Sequence, residues 1–175
     1  LVGTFHMCNE SSLPYRLLGP VLRWPLRRLS AQIAVSESAR TSACPVSSGE
    51  TAVIPNGIEL SQRAGARPRA ATRRSMSRRV VCIGRHEPRK GVDILLRAFA
   101  DLPGDTHLDL VGVDPEEIDG SDLPGDLIAR IHPRGRVSDD ERQRLLSRAD
   151  VLCAPSLGGE SFGLVLVEAM ALGIP

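Results

Sequence analysis

No apolar stretch in this sequence of 175 residues approaches the roughly 18 residues that a membrane-spanning helix needs. Paired cysteines are missing as well. Cys8, Cys44, Cys82 and Cys153 form no C-x-x-C motif, and two of them lie in apolar runs typical of strands. We interpret the four cysteines as reduced residues, which favours a cytoplasmic protein.

An excess of one charge is also missing, because 22 Lys and Arg residues face 21 Asp and Glu residues, for a net charge of +1. That balance argues against a dedicated nucleic-acid-binding protein. The sequence contains no G-x-x-x-x-G-K-[ST] motif of a P-loop and no G-x-G-x-x-G motif of a dinucleotide fold. No His/Cys cluster has metal-ligand spacing, and the loop acids at 119, 122, 139 and 140 make no convincing metal site. We expect no metal and no cofactor.

The most informative stretch that is present runs from Leu157 to Gly163, with the sequence L-G-G-E-S-F-G, and an apolar run follows it. The residues just before it, V-L-C-A-P, favour a short buried strand in a parallel sheet. The pattern therefore predicts strand, glycine loop, helix. In such a unit the first amides of the helix point out at the carboxyl end of the strand, where an anion can bind. Leu164 stands where a capping-box glutamate paired with Ser161 would be, so no capping box occupies these amides.

Two carboxylates lie in this unit, Glu160 in the loop and Glu168 in a helix that is apolar nearly all round. We expect Glu168 to be buried and therefore to need hydrogen-bond donors, either protein groups or ligand hydroxyls. A lone glutamate of this kind would be interpreted as structural. The pair, separated by seven residues after a Gly-Gly turn, favours a functional site.

The sequence from Glu160 to Glu168 resembles the E-x7-E motif of retaining glycosyltransferases of the GT-B fold, family 4. Residues 154–159 and 169–171 are most similar to the phosphatidylinositol mannosyltransferases of actinobacteria, and the resemblance covers nearly the whole chain, weakest in residues 7–30 and 61–79. It implies a metal-independent enzyme that transfers a sugar with retention of configuration. The expected donor is GDP-mannose, and the expected acceptor is phosphatidyl-myo-inositol.

The resemblance and the alternation of strand and helix patterns give an α/β fold class of GT-B type, with two Rossmann-like doubly wound domains. We expect both domains to be incomplete, because the chain has no initiator methionine and begins inside an apolar run. The piece alone should be inactive. We assign residues 1–60 to the acceptor-side domain, 61–79 to an arginine-rich linker and 80–175 to the donor-binding domain.

In the first domain, strands are predicted at 1–6, 32–36 and 51–55. Ser36 should cap a short helix that runs through Arg40, and Pro-Asn-Gly at 55–57 indicates a tight turn. In the second domain, strands are predicted at 80–84, 108–112, 134–137 and 151–155. Helices are predicted at 92–102, with its apolar side formed by Ile94, Leu95, Ala98 and Phe99, at 126–131, and after Ser138, where Glu141 completes a capping box.

A basic loop, Gly84 to Gly91, follows the first strand of the second domain. A nucleoside diphosphate gains negative charge as its glycosidic bond breaks, and fixed cations stabilise that charge. Arg85 can hold phosphate oxygens bidentately and Lys90 adds a point charge. The G-R-x4-K-G match to the family implies that both bind the donor diphosphate. The resemblance further implies that Glu160 and His6 contact the donor sugar and that Glu168 contacts the ribose. The catalytic residues that it implies are His6, Arg85, Lys90 and Glu160. The donor-binding residues that it implies are Arg85, Lys90, Glu160, Ser161, Phe162, Gly163 and Glu168.

Residues 11–30 combine leucines with Arg16, Arg23, Arg27 and Arg28, and Gly19-Pro20 and Trp24-Pro25 should break or kink any helix there. Two interpretations stay open. The arginines form either a surface for anionic lipid, at the inner face of the plasma membrane, or the solvated face of a domain helix.

Two other functions also stay open. A non-catalytic remnant would bind a nucleotide sugar without turnover. A related GT-B enzyme such as a sugar-nucleotide epimerase would convert the donor without any acceptor.

Overall fold

The computed structural model describes residues 1–6, 17–47, 49–58, 77–119 and 123–175. The chain divides into two compact units. The first comprises Leu1–Ile58 and Gly159–Leu164, and the second comprises Glu59–Gly158 and Val165–Pro175. The first unit therefore takes in a short segment from far along the chain, whereas the predicted domains follow sequence order. Most of the predicted linker, up to residue 76, lies outside the described residues, as do Cys8 and Arg16.

The first unit is a three-stranded parallel sheet with the strand order β1-β2-β3. Its elements are β1 (Val2–Phe5), α1 (Gly19–Leu26), β2 (Ala31–Ala34), α2 (Glu37–Ala43) and β3 (Thr51–Val53). The three predicted strands are thus confirmed, although each is shorter than predicted and β2 begins one residue earlier. The Ser36 hydroxyl accepts a hydrogen bond from the amide of Ala39 at 3.1 Å, which confirms the predicted cap of α2.

Prolines limit the helix α1. Pro20 lies in its first turn, where a missing N–H removes no intrahelical bond, and Pro25 lies one residue before the end. The helix begins at Gly19-Pro20, where a break was predicted, but it continues through Trp24-Pro25 to Leu26, so no break occurs at the second place. Arg27 follows the helix. The tight turn predicted at 55–57 was wrong, because residues 54–58 form no turn. Instead the amide of Ile54 continues the sheet by donating to the carbonyl of Ala34 at 2.9 Å.

The second unit is a four-stranded parallel sheet with the strand order β6-β5-β4-β7. Its strands are β4 (Arg78–Ile83), β5 (Thr106–Val111), β6 (Ile131–Gly135) and β7 (Val151–Leu152). Its helices are α3 (Val92–Phe99), α4 (Gly125–Ile128), α5 (Asp139–Arg148) and α6 (Leu164–Ala171), with 3₁₀ turns at Pro88–Lys90 and Pro115–Glu117. The chain builds from β4 outward to β6 and then returns to place β7 on the other side of β4. This reversal confirms the doubly wound prediction.

Both faces of the second sheet carry apolar clusters, as a parallel sheet requires. Alternate residues of β4 point to opposite faces. Cys82 lies in a cluster with Phe99 of α3 and Leu110 of β5. Val81 lies in the other cluster, with Leu146 of α5.

Several boundaries differ from the sequence prediction. The strand β4 begins at Arg78, so Arg78 and Arg79 belong to it and not to the linker, because Arg78 pairs with Thr106 of β5. Ile131 begins β6 instead of ending a helix, since it pairs with Leu108. Strand pairing between distant segments sets these ends, and local patterns do not contain that information.

The buried face of α3 also differs from the prediction. Leu95 and Phe99 are buried as predicted, but Ile94 is 49% exposed and Ala98 is exposed, while Val92 and Leu96 are buried. The helix is rotated by about one residue from the predicted face. At α5, Ser138 accepts from the amide of Glu141 at 3.2 Å, but the Glu141 carboxylate pairs with Arg144 at 2.9 Å. Only one half of the predicted capping box is therefore seen.

Among the residues that the structure describes, no helix is both long enough and apolar enough to span a bilayer.

Candidate functional site

The second sheet reverses its strand order between β4 and β7. In open α/β sheets, ligands bind outside the carboxyl ends of the strands at such a reversal. Two loops leave the sheet there, residues 84–91 after β4 and residues 153–163 after β7. A backbone hydrogen bond of 2.8 Å from the amide of Leu157 to the carbonyl of Arg89 joins the two loops.

Gly91 allows this approach. Its φ is +68°, a conformation that L side chains rarely adopt, and a Cβ at this position would lie 2.3 Å from the carbonyl oxygen of Pro155. Any side chain would therefore be both strained and in collision with the second loop. The glycine that ends the G-R-x4-K-G motif serves to bring the two loops together.

The basic loop contains its own counter-ion, which the sequence prediction missed. One Glu87 oxygen accepts from the Arg85 guanidinium at 2.9 Å, and the other oxygen accepts from Nε of Arg89 at 2.9 Å. The Arg85 side chain is 76% exposed. The only sequence signal was an acid two residues from each arginine.

Lys90 lies along the end of β4, with its Cδ 3.8 Å from the position that a Cβ on Gly84 would occupy. The pKa of the neighbouring Cys82 is raised to about 12, and burial is the largest cause. Cys153 adds to the rise, while the Lys90 ammonium opposes it. Cys82 is therefore a protonated core thiol, and Cys153, a free thiol, is partly buried beside the same cluster. Both fit the prediction of reduced cysteines.

Glu168 is partly buried, not fully as predicted, with 22% of its side chain exposed. Its Oε2 accepts from Nη1 of Arg142 in α5 at 2.5 Å. Arg142 also lies 3.6 Å from Asp139 in its own helix. The predicted need for a donor is thus met by a protein group. No sequence spacing links Arg142 to Glu168, because the two residues lie 26 positions apart in different helices.

The glycine loop places its other residues in the first unit. The Ser161 hydroxyl donates to the main-chain carbonyl of His6 at 2.5 Å. Phe162 packs with Phe5 against the small core of Ala34, Val35 and Ala39. The structure therefore places Ser161 beside the main chain of His6, just after the carboxyl end of β1.

The two carboxylates of the E-x7-E sequence fall in different units, Glu160 in the first and Glu168 in the second. Glu160 is exposed. Gly163, with φ +75°, stands immediately before α6, and the predicted order of strand, glycine loop and helix is confirmed by β7 and α6.

Within the described ranges, no three His, Cys, Asp or Glu side chains are grouped closely enough to hold a metal ion. The expectation that no metal is used stays a prediction.

Two parallel α/β units, with joined loops at the strand reversal of the second, define an α/β protein of GT-B type. A family model described as Glycosyl transferases group 1 matches residues 77–175. The chain belongs to this family, which confirms the resemblance found in the sequence.

Known proteins support the same assignment. The chain is 38% identical over 182 residues to a phosphatidyl-myo-inositol mannosyltransferase of Mycobacterium leprae, a match that covers 100% of this chain and 47% of the relative. It is 37% identical over 177 residues to the protein of the same name from Mycolicibacterium smegmatis, covering 99% and 45%. The solved structure of Anabaena Alr3699/HepE in complex with UDP and glucose superposes with a TM-score of 0.73 at 26% identity, covering 100% of this chain and 51% of that protein. The chain spans about half the length of the curated relatives it matches.

Proposed function

We propose that the complete protein is a glycosyltransferase that transfers mannose from GDP-mannose, with retention of configuration, to phosphatidyl-myo-inositol. The observation that carries the proposal is the basic loop at the strand reversal of the second unit, joined to the glycine loop that leads into α6. The names of the relatives support the sugar and the acceptor, and the solved neighbour was crystallised with a nucleoside diphosphate and a sugar.

A donor diphosphate can replace the present partner of Arg85. The Arg85–Glu87 pair is largely exposed on the arginine side, and an exposed ion pair contributes about 0–1 kcal/mol. A bidentate, charge-assisted bond from a guanidinium to phosphate is stronger. Arg85 therefore gains by turning from Glu87 to the diphosphate, while Lys90 supplies a second positive charge from the same loop. Both charges stabilise the leaving group as the glycosidic bond breaks.

The remaining residues take the roles that the family implies. Glu168 accepts from the ribose hydroxyls, and Glu160 accepts from the hydroxyls of the donor sugar. His6 contacts the sugar, and the hydrogen bond from Ser161 to its carbonyl fixes the backbone at that point. The diphosphate needs no proton to leave, so none of these groups has to act as a general acid. No metal takes part in this proposal.

The test compares alanine variants of the complete protein by calorimetry with GDP and by kinetics with GDP-mannose. Each lost hydrogen bond to a charged group should lower the donor-dependent rate, so Arg85→Ala or Lys90→Ala should lower it about 10- to 150-fold. Glu168→Ala should weaken binding of GDP itself. Glu160→Ala should leave GDP affinity unchanged and abolish most transfer, because its partner is the sugar.

Arg97→Ala is the matched control, because Arg97 is an exposed arginine in the last turn of α3, at the end far from the loops. Parental GDP affinity and transfer in folded Glu160→Ala and Glu168→Ala variants would show that the two carboxylates are structural. Donor binding without turnover would favour the non-catalytic remnant. Conversion of the donor without an acceptor would favour the epimerase.

We also propose that the protein binds peripherally to anionic membrane through α1. The helix exposes Val21 and Trp24, and the Arg28 guanidinium lies 5.3 Å above the Trp24 ring. Arg27 is exposed beside them, whereas Arg23 donates to the carbonyl of Cys44 at 3.5 Å. Apolar side chains with a tryptophan, bordered by arginines, are typical of surfaces that bind an anionic bilayer.

A further inference from the structure

Arg142 and Glu168 come from two helices that begin at the same edge of the second sheet. The helix α5 follows the carboxyl end of β6, and α6 follows the loop after β7. Since all four strands are parallel, the first turns of both helices lie at the carboxyl edge. This is the edge at which the proposed donor site lies.

The contact is direct and partly shielded from solvent. Nη1 of Arg142 donates to Oε2 of Glu168 at 2.5 Å, and the two side chains are 28% and 22% exposed. The ion pairs within α5 that involve Arg144 or Asp139 include at least one largely exposed side chain. The proposed donor site and α5 are therefore linked through one ionic hydrogen bond between half-buried side chains.

We propose that Arg142 is a positioning residue that holds the Glu168 carboxylate in place for the ribose of the donor, an inference that rests on the proposed function. A glutamate has several rotamers, and fixing one of them before the ligand arrives lowers the entropy cost of binding. A carboxylate has about four acceptor positions. One bond from Arg142 therefore leaves capacity for two ribose hydroxyls.

Arg142 also favours binding of the donor through its charge. An uncompensated carboxylate beside a nucleoside diphosphate would repel it, and this repulsion grows where solvent is partly excluded. The guanidinium of Arg142, which is closer to Glu168 than to Asp139, compensates part of the charge of Glu168 and leaves acceptor positions on it. Glu168 can then contact an anionic ligand with a smaller electrostatic penalty.

The alternative to a positioning role is a purely structural ion pair between α5 and α6. A nucleotide without the ribose hydroxyls distinguishes the two roles. We take the ratio of the dissociation constants for 2′,3′-dideoxy-GDP and GDP, measured by calorimetry on the complete protein. If Glu168 binds the ribose hydroxyls, the parent protein prefers GDP. Loss of the Arg142 contact should then reduce this preference, whereas a loss of stability alone would weaken both nucleotides equally.

The variants are Arg142→Met, Arg142→Lys, Glu168→Gln and the double variant Arg142→Met/Glu168→Gln. We expect Arg142→Met to weaken GDP about 3- to 10-fold, the range for one side chain that is no longer pre-ordered, and to weaken dideoxy-GDP less. Arg142→Lys, which keeps the charge and a donor, should recover part of the preference. In the Glu168→Gln background, Arg142→Met should add less than about 2-fold, because the two residues act as one unit.

Arg144→Met is the matched control, since Arg144 pairs with Glu141 on the same helix at 2.9 Å and both side chains are more exposed. It should leave the ratio unchanged. If Arg142→Met does not fold, Arg142→Gln provides the same comparison with a neutral donor.

Different results would contradict the proposed function and the positioning role of Arg142. An unchanged ratio in Glu168→Gln would contradict the ribose role in the proposed function. A reduced ratio in Glu168→Gln together with parental ratios in folded Arg142→Met or Arg142→Gln would overturn the positioning role alone. Equal weakening of both nucleotides by folded Arg142→Met would also overturn the positioning role, because charge compensation or stability acts on both nucleotides alike.

Discussion

His107 and His132 form a hydrogen bond between neighbouring strands of the second unit. Nδ1 of His107 lies 3.1 Å from Nε2 of His132, the ring centres are 5.3 Å apart and the ring planes differ by 9°. The distance between the ring centres is close to the sum of three distances: that between the two nitrogens and those from each nitrogen to the centre of its own ring. Such a sum is reached only when the two nitrogens lie on the line that joins the ring centres. The rings therefore meet end to end in one plane, and one ring donates while the other accepts. The accepting nitrogen has to be unprotonated.

The surroundings of His132 oppose its protonation. Burial is the first cause that lowers its pKa, and Arg134, His107 and Arg79 act in the same direction, while Asp109 acts against them. Asp109 is itself buried and paired with Arg134 at 2.7 Å and with Arg79 at 3.3 Å. Its negative charge is therefore largely compensated and cannot stabilise an imidazolium fully.

This arrangement predicts a loss of stability in mild acid. The pKa of His132 is lower in the folded protein than its ordinary value of 6.5, so below that pH the unfolded chain binds more protons. The contribution of His132 is therefore complete above about pH 6.5 and is lost as the pH falls toward the folded pKa. We expect the urea midpoint of the parent protein, measured at pH 7.5, 6.5 and 5.5, to fall with pH. The fall should be larger than that of the variant His132→Gln.

The variant His132→Gln should have a flatter pH dependence over this range, because it removes the titrating group. His86→Gln is the matched control, since His86 lies in the loop after β4, away from His132, and pairs with Asp93 of α3 at 2.9 Å. Parallel curves for the parent and His132→Gln would show that His132 does not titrate between the folded and unfolded states in this range.

The helix α1 of the first unit exposes large apolar side chains. Its Leu22 and Leu26 are partly buried, while Val21 and Trp24 are more than two-thirds exposed. A helix that exposes its tryptophan beside arginines either binds another surface or carries an unusual solvated face. Membrane binding separates these two cases.

The prediction for α1 is that both kinds of residue contribute to vesicle binding. Each arginine near an anionic surface contributes roughly 1 kcal/mol, so Arg27→Gln/Arg28→Gln should weaken binding of the complete protein to phosphatidylglycerol vesicles about 30-fold at low salt. Val21→Ser/Trp24→Ser should weaken binding by loss of apolar contact and with less dependence on salt.

Sedimentation with vesicles of phosphatidylglycerol or phosphatidylcholine gives the measurement. Arg40→Gln is the control, because Arg40 is an exposed arginine of the same unit that pairs with Glu37 at 2.7 Å. Equal vesicle binding by all variants would support the interpretation of α1 as a domain helix with a solvated face. Changed GDP affinity in the α1 variants would contradict a separate membrane surface.

The chain spans about half the length of its curated relatives. GT-B enzymes use two domains, one for the acceptor and one for the donor. We expect the 175-residue chain expressed by itself to transfer no sugar, while the loops of its second unit retain some affinity for GDP. Transfer is measured with radiolabelled GDP-mannose and lipid acceptor, and GDP binding by calorimetry. Acceptor labelling by the purified chain would contradict this expectation.

The α/β class, the parallel sheets and the family could be predicted from the amino-acid sequence. The strand β7 is a short apolar run and α6 begins after a glycine loop, so the order of elements from Val151 to Ala171 could be predicted from the local pattern. The same holds for the Ser36 cap, whose bond spans three residues, and for the strand end at His6. These features depend on neighbours within a few positions, where residue type and spacing decide the geometry.

The partners of the charged residues could not be predicted in this way. Arg142 meets Glu168, and His107 meets His132, because particular helices and strands lie side by side, and no local spacing encodes that adjacency. The same cause moved the start of β4 to Arg78 and rotated α3 so that Ile94 faces outward. Strand ends and helix faces are set by the surface against which they pack, and that surface exists only once distant parts of the chain have come together.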